Sequence, residues 1–156
     1  LRQWKENIDT FIKIANKFGV RMIMVGGGAV NFHGYQRHSA DVDFWIDTAD
    51  ENLEKLIKVF DEMGYQIDDF PDQVKNREQN ISVKFSPVDL NLELITNFSV
   101  NKSFEEVFDS SEIVTVDNGL TWRVLSLTDL ISSKLKSSRP KDLLDIQELR
   151  RIHNLC

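Results

Sequence analysis

Cysteine is almost missing from this chain. Its 156 residues hold one, Cys156, so no internal disulfide can form and no second thiol is available to share a metal. No apolar run of about 18 residues or more occurs, which excludes an ordinary membrane-spanning helix. The opening LRQWKENIDTF lacks the charged-then-apolar layout of a signal peptide, and a cytoplasmic location with no membrane partner is expected. Low-complexity tracts and internal repeats are also lacking, and a hydrophobic fraction of 41% with 28% charged residues is ordinary globular usage. Positive charge is in deficit. Lys and Arg number 19 against 25 Asp and Glu, a formal net charge of −6, which argues against a broad nucleic-acid-binding surface. The three histidines, His33, His38 and His153, show no ligand spacing, and structural or exposed roles are expected for them.

What is present reads as a mixture of helices and strands. Residues 4–18 place Ile8, Phe11, Ile12, Ala15 and Phe18 at helical spacing and stop at Gly19. Residues 20–25 (VRMIMV) suit a buried strand that breaks at three glycines, and a short helix is expected over 29–33. A second strand covers 42–46, and Thr48 is placed to cap a helix over 49–63 with Leu53, Leu56, Ile57 and Phe60 inward. Residues 65–80 are polar, carry Pro71 and read as loop. Strands over 81–85 and 88–95 form a plausible hairpin about a Ser86-Pro87 turn; alternation in VDLNLEL puts Asp89, Asn91 and Glu93 on one face and Leu90, Leu92 and Leu94 on the other. A short helix near 103–108 and extended pieces near 113–116 and 121–124 follow. Ser126 and Asp129 resemble a capping box for a helix to Lys136, and Pro140 opens a last helix to His153. The expected fold is α+β: a mixed twisted sheet with flanking helices and a short C-terminal helical pair. A single domain over 1–156 is expected, with a core at about 20–116 and the helical part at about 126–153.

Charge is unevenly spread. From Arg123 to His153 there are seven basic and four acidic residues (+3), which leaves 12 basic and 21 acidic, −9, elsewhere. A basic tail on an acidic body can grip a small polyanion such as a triphosphate, or can simply be a solvated helix surface.

The chemistry concentrates in VGGGAVNFHGYQRHSADVDFWID. A strand running into Gly26 and Gly27 and then a helix offers bare backbone N–H groups to phosphate, although the spacing fits neither the dinucleotide fingerprint nor the P-loop. In Asp41-Val42-Asp43 the strand period of two sends both carboxylates to one face, with Trp45, while Val42 and Phe44 point to the other. Paired carboxylates repel, and oxygen-only ligands of this kind suit Mg²⁺ or Mn²⁺; an isolated pair at a sheet edge is more simply solvated. Trp4, Trp45 and Trp122 are expected to serve packing rather than base stacking, with Trp45 the exception to watch because it shares the face of Asp41 and Asp43.

Together, the glycines, the short helix and Arg37-x-Ser39-x-Asp41-x-Asp43 resemble the signature of the DNA polymerase beta superfamily of nucleotidyltransferases, and most closely the small bacterial proteins related to the AbiEii abortive-infection toxins. The resemblance implies paired glycines at Gly26 and Gly27, metal-binding carboxylates at Asp41 and Asp43, and a third acidic residue on a later strand. The run ELITNFSVNKSFEEVF points to Glu93 rather than Asp89 for that residue; Asp is commoner there in the family, and Gly28 stands where a bulkier apolar residue is usual. VLSLTDLISSKLKSSRPKDLLDIQEL is similar to the family's closing helical pair, in which a Lys, an Arg and an Asp recur at the spacing of Lys134, Arg139 and Asp142.

The implied activity is transfer of a nucleoside monophosphate from a nucleoside triphosphate to an acceptor, with pyrophosphate leaving. Asp41, Asp43 and Glu93 carry Mg²⁺ or Mn²⁺, and Gly26 and Gly27 hold phosphate. Arg37, Lys134, Arg139, Lys141 and Asp142 stand about the triphosphate, and Ser39 either adds a hydroxyl contact or bonds its own turn. Arg139 either grips phosphate or pairs with Asp142 or Asp145 to fix the helix junction, and Lys134 has no obvious carboxylate partner. The acceptor is open between RNA, including transfer RNA, a protein and a small molecule. Two rival readings stand beside this one: a toxin acting on transfer RNA with an antitoxin partner, and a catalytically degenerate nucleotide- or protein-binding module.

Overall fold

The computed structural model describes residues 6–85, 91–116 and 119–155. Trp4, the Ser86-Pro87 turn, Asp89, Leu90 and Cys156 lie outside them. Thirteen elements follow in the order α1 (Glu6–Phe18), β1 (Met22–Val25), α2 (Gly26–Phe32), β2 (Asp41–Ile46), α3 (Asp50–Glu62), α4 (Asp72–Lys75), β3 (Ile81–Val83), β4 (Asn91–Ile95), α5 (Phe104–Ser110), β5 (Glu112–Thr115), β6 (Thr121–Val124), α6 (Leu127–Ser137) and α7 (Pro140–Ile152). This is the α+β arrangement expected from the pattern.

The strands form one six-stranded mixed sheet in the order β3-β4-β2-β1-β6-β5. β1 runs antiparallel to β2 and parallel to β6, while β2 runs parallel to β4. Both outer pairs, β3 with β4 and β5 with β6, are antiparallel, so the expected hairpin is present. β1 lies at the centre and all four of its residues are buried, the usual consequence of an apolar run covered on both faces.

One face of the sheet carries α1 and α3, whose apolar stripes meet each other. Ile8, Phe11, Ile12 and Ala15 of α1 are fully buried, as are Leu56 and Val59 of α3. Phe11 stacks on Phe60 at 5.9 Å and meets Phe44 of β2 at 6.2 Å between ring centroids. Because side chains alternate along β2, Phe44 on this face sends Asp41, Asp43 and Trp45 to the other. Trp45 is 7% exposed and packs against Phe98 and Phe104, so although it shares the face of the carboxylates it serves the core like an ordinary packing tryptophan.

Local signals were right in kind and sometimes displaced. Residues 65–80, expected to be loop, contain the one-turn helix α4, whose Val74 is buried under the core. Thr48 does not cap α3; Ala49 holds the cap position with no side-chain bond, and Asp47 Oδ1 accepts from the Ala49 amide at 3.1 Å instead. Ile57 is partly buried, and Val59 takes the inward place. Ser103 caps α5 in a complete capping box with Glu106. Ser126 caps α6 by accepting from the Asp129 amide. α6 stops at Ser138, held in the left-handed region at φ 53°, and Pro140 starts α7 almost at once. The two helices therefore fold back on each other across a very short junction.

Candidate active site

Three pairings bring the acidic residues together. Val25, the last residue of β1, is in register with Asp43, and Asp43 is in register with Glu93 of β4. Asp41 lies one pleat before Asp43 on the same face, opposite Asn91. Glu93 is flanked on its other side by Ser82 of β3, whose hydroxyl donates to Glu93 Oε1.

The electrostatics follow from this crowding. Burial, then the neighbouring charges of Asp41 and Glu93, push the Asp43 carboxyl up from 3.8 to about 6, while the positive charges of Lys141 and Lys134 pull the other way. The carboxylates nevertheless do not converge into a closed cage: among the described residues no group of three or more His, Cys, Asp or Glu is gathered tightly enough to hold a metal. Repulsion and the Ser82 tether on Glu93 both favour that open arrangement. The donor set is all carboxylate oxygen on rigid strands, with a repulsion that a cation relieves, and it fits a hard divalent ion such as Mg²⁺.

The glycine turn closes on the same point. The helix expected over 29–33 in fact begins at Gly26, so the glycines form its first turn, and no side chain caps it. Gly26 has φ +63°, and a Cβ there would lie 2.3 Å from Asp43 Oδ2. A Cβ on Gly27 would lie 2.7 Å from Ser39 Oγ and 3.6 Å from an Arg37 guanidinium nitrogen. The absent side chains are what let the carboxylate and the 37–41 loop come down on the turn. Gly26→Ala is accordingly expected to cost about 1–2 kcal/mol for the left-handed backbone. Because the Asp43 carboxylate can swing away from the new methyl, its activity is expected to fall by a larger factor than its stability. Urea denaturation beside a transfer assay measures both.

Ser39 Oγ donates to the Asp41 carbonyl at 2.9 Å, the turn-residue role left open for it. Arg37 is joined to Asp145 of α7 by two bonds, Nε to Oδ1 at 2.9 Å and Nη2 to Oδ2 at 3.0 Å. Lys134 has two carboxylate partners, contrary to expectation: its amine is 2.9 Å from Asp145 Oδ2 and 3.3 Å from Asp142 Oδ1. Arg139 pairs with Asp142 through Nε at 2.7 Å and Nη2 at 3.2 Å, so its structural role at the junction is realised. Burial alone would raise the Asp142 carboxyl, but the hydrogen bonds from Arg139 together with the charge and hydrogen bond of Lys134 hold it below the usual range.

Asp145 is the residue that sequence reasoning passed over as a site candidate. Its signal was present: Asp142, Asp145, Ile146 and Leu149 share the buried stripe of α7, and two carboxylates on an inward stripe demand cations. Two of the three histidines, His33 and His153, are structural, and His38 is exposed. Buried His33 donates from Nε2 to the Leu125 carbonyl at 2.7 Å, and His153 donates to the His33 carbonyl at 2.6 Å.

A family model described as "Nucleotidyltransferase of unknown function (DUF6036)" matches residues 1–155. The chain belongs to that family. It is therefore a nucleotidyltransferase, a transferase that draws on a nucleoside triphosphate. No curated protein matches its sequence. Among solved structures, this nucleotidyltransferase is similar in fold to an antigenic nucleotidyltransferase-like protein from Paracoccidioides brasiliensis. The two are 16% identical with a TM-score of 0.54, over 94% of this chain and 74% of that one. It is also similar to ANT(2")-Ia, solved in complex with adenylyl-2"-tobramycin, at 12% identity and TM-score 0.51 over 93% of this chain and 86% of the other. At these identities the likeness is one of fold. No described helix of the nucleotidyltransferase is long and apolar enough to cross a membrane.

Proposed function

We propose that this nucleotidyltransferase moves a nucleoside monophosphate from a nucleoside triphosphate to an acceptor hydroxyl or phosphate, with Asp41, Asp43 and Glu93 as the metal-binding carboxylates. The observation that carries the reading is the register that sets Asp43 between Glu93 and the Gly26 turn, with its carboxyl raised to about 6 by burial and by its acidic neighbours. Divalent metal, when bound, stabilises the attacking and leaving oxygens of such a displacement. Asp41 and Asp43 would hold it on the strand, and Glu93, tethered by Ser82, would join them as the third carboxylate and help take the nucleophile's proton. The Gly26-Gly27 turn, with Ser39 and Arg37 packed over it, receives the β and γ phosphates. Lys134 and Lys141, whose charges reach Asp43, would face the triphosphate from the other side, with Arg139 and Asp142 beside them at the helix junction. The whole of residues 1–156 works as one unit, the core at about 20–116 carrying the carboxylates and the helical part at about 126–153 the cations.

A second reading, an AbiEii-type toxin acting on transfer RNA with an antitoxin partner, has one feature in its favour. The +3 charge of residues 123–153 gives an otherwise acidic chain a face for a polyanionic acceptor.

The test offers the purified protein each labelled nucleoside triphosphate with Mg²⁺ or Mn²⁺ and a pool of RNA, proteins and small metabolites. Transferred label is expected; none with any nucleotide overturns the proposal, and label on RNA alone selects the second reading. Glu93→Gln is expected to lower turnover more than triphosphate affinity, because Glu93 acts on the attacking oxygen. Should Asp89→Asn do the greater damage, the third carboxylate is Asp89.

A further inference from the structure

Asp145 is 1% exposed and holds two cations from distant parts of the chain: Arg37, 108 residues earlier, and Lys134 on the neighbouring helix. The way it holds Arg37 is specific. Its two oxygens take Nε and Nη2, the outer edge of the guanidinium, and leave Nη1 turned to the glycine turn, 3.6 Å from where a Gly27 side chain would begin. Among the described residues Nη1 makes one long hydrogen bond, 3.4 Å, to the His38 carbonyl. The loop that carries Arg37 is pinned at its start as well, since the Arg37 amide donates to Asn31 Oδ1 of α2 at 3.0 Å. The same Asp145 oxygen that accepts from Nη2 also holds the Lys134 amine, whose charge reaches Asp43.

We propose that Asp145 is a positioning residue for triphosphate binding: it fixes Arg37 by one edge so that the other edge faces the phosphate-receiving turn, and it sets Lys134 beside it. This rests on the nucleotidyl-transfer reading and adds to it a residue that touches neither metal nor nucleotide. Asp145 links the C-terminal helical pair to the glycine turn through one carboxylate.

Charge and geometry predict opposite outcomes for its removal, which makes the inference decidable. Asp145→Asn deletes a negative charge near a site for a polyanion, so electrostatics alone predicts tighter binding of a triphosphate. Loss of the fork that orients Arg37 predicts weaker binding, by about tenfold or more. The experiment is calorimetric titration of the full chain with Mg²⁺ and each of the four α,β-methylene nucleoside triphosphates, well below the melting temperature, with urea denaturation of every variant. Weaker binding by folded Asp145→Asn supports the proposal, and equal or tighter binding overturns it. If that variant does not fold, Asp145→Glu, which keeps the charge and shifts the carboxylate by one methylene, is expected to weaken binding too, and unchanged affinity there overturns it. Arg37→Lys keeps the charge and loses the fork. Adding Asp145→Asn to Arg37→Lys is expected to cost less than the sum of the two, because one acts through the other, and strictly additive losses overturn the link. Failure of the wild type to bind any of the four defeats the functional reading as well, whereas binding that survives in the Asp145 variants defeats this inference alone.

Discussion

Asp43→Asn is expected to abolish nucleotidyl transfer and, in metal-free buffer at pH 8, to make the protein more stable than the wild type. The two effects share a cause. The Asp43 carboxyl is raised from 3.8 to about 6 by burial and then by Asp41 and Glu93, so its ionised form is disfavoured in the folded state. The folded value lies above the unfolded one. The native state therefore carries no penalty below about pH 4, loses stability as pH rises through about 6, and bears the full cost above that. At about 1.4 kcal/mol per pH unit the upper bound is about 3 kcal/mol, and the carboxylate's partial contact with water reduces it. Urea denaturation in chelator at pH 8 and pH 4 checks the sign: the advantage of the Asn variant is expected at the first and absent at the second. Mg²⁺ with a triphosphate is expected to raise the melting temperature of the wild type and not of the variant. Transfer at wild-type rate by Asp43→Asn or Asp41→Ala removes the assigned site.

Lys134→Ala is expected to destabilise the fold by about 1.5–3 kcal/mol, because it removes the cation that buried Asp142 and Asp145 share and leaves each to its arginine alone. With 8% of its side chain exposed, Lys134 lies between two carboxylates that are each 1% exposed. From sequence alone this lysine reads as a phosphate ligand with little structural duty. The ion pairs correct that: any phosphate contact it makes comes in addition to a structural load. Arg139 bonds the same Asp142, but 60% of its side chain is exposed, so Arg139→Ala is expected to cost only about 0.5–1 kcal/mol. Chemical denaturation of both variants gives the comparison, and equal small losses refute it.

How much of this was legible beforehand divides along chain distance. The DVD strand, the alternation that buries Leu92 and Leu94 beneath Glu93, the stripes of α1 and α3, and the Ser126 cap are all written in neighbouring residues, and they appear where those patterns put them. The partners of Lys134 sit one and two turns along the next helix, and Arg37's sits 108 residues away, where no local period points. Glycine's low helix propensity placed the start of α2 too late, because the turn's contacts with Asp43 and Ser39 override it. At α3 the Asp47 carboxylate displaced the threonine next to it as the acceptor for the entering backbone.

The 108-residue span between Arg37 and Asp145 also sets an order in time. During synthesis β1, β2 and β4 are all available for pairing once Ile95 has emerged, while β6, α6 and the carboxylates of α7 have yet to be made. The acidic half of the site can thus assemble before the cationic half exists. Loop closure grows only logarithmically with length, about 0.6 kcal/mol per doubling, so the late joining of Arg37 to α7 is entropically cheap although it comes last. A nascent chain paused before α6 holds its repelling carboxylates without Lys134 or Lys141 to offset them, and divalent cation in the surrounding fluid becomes a folding aid before it has any substrate to act on.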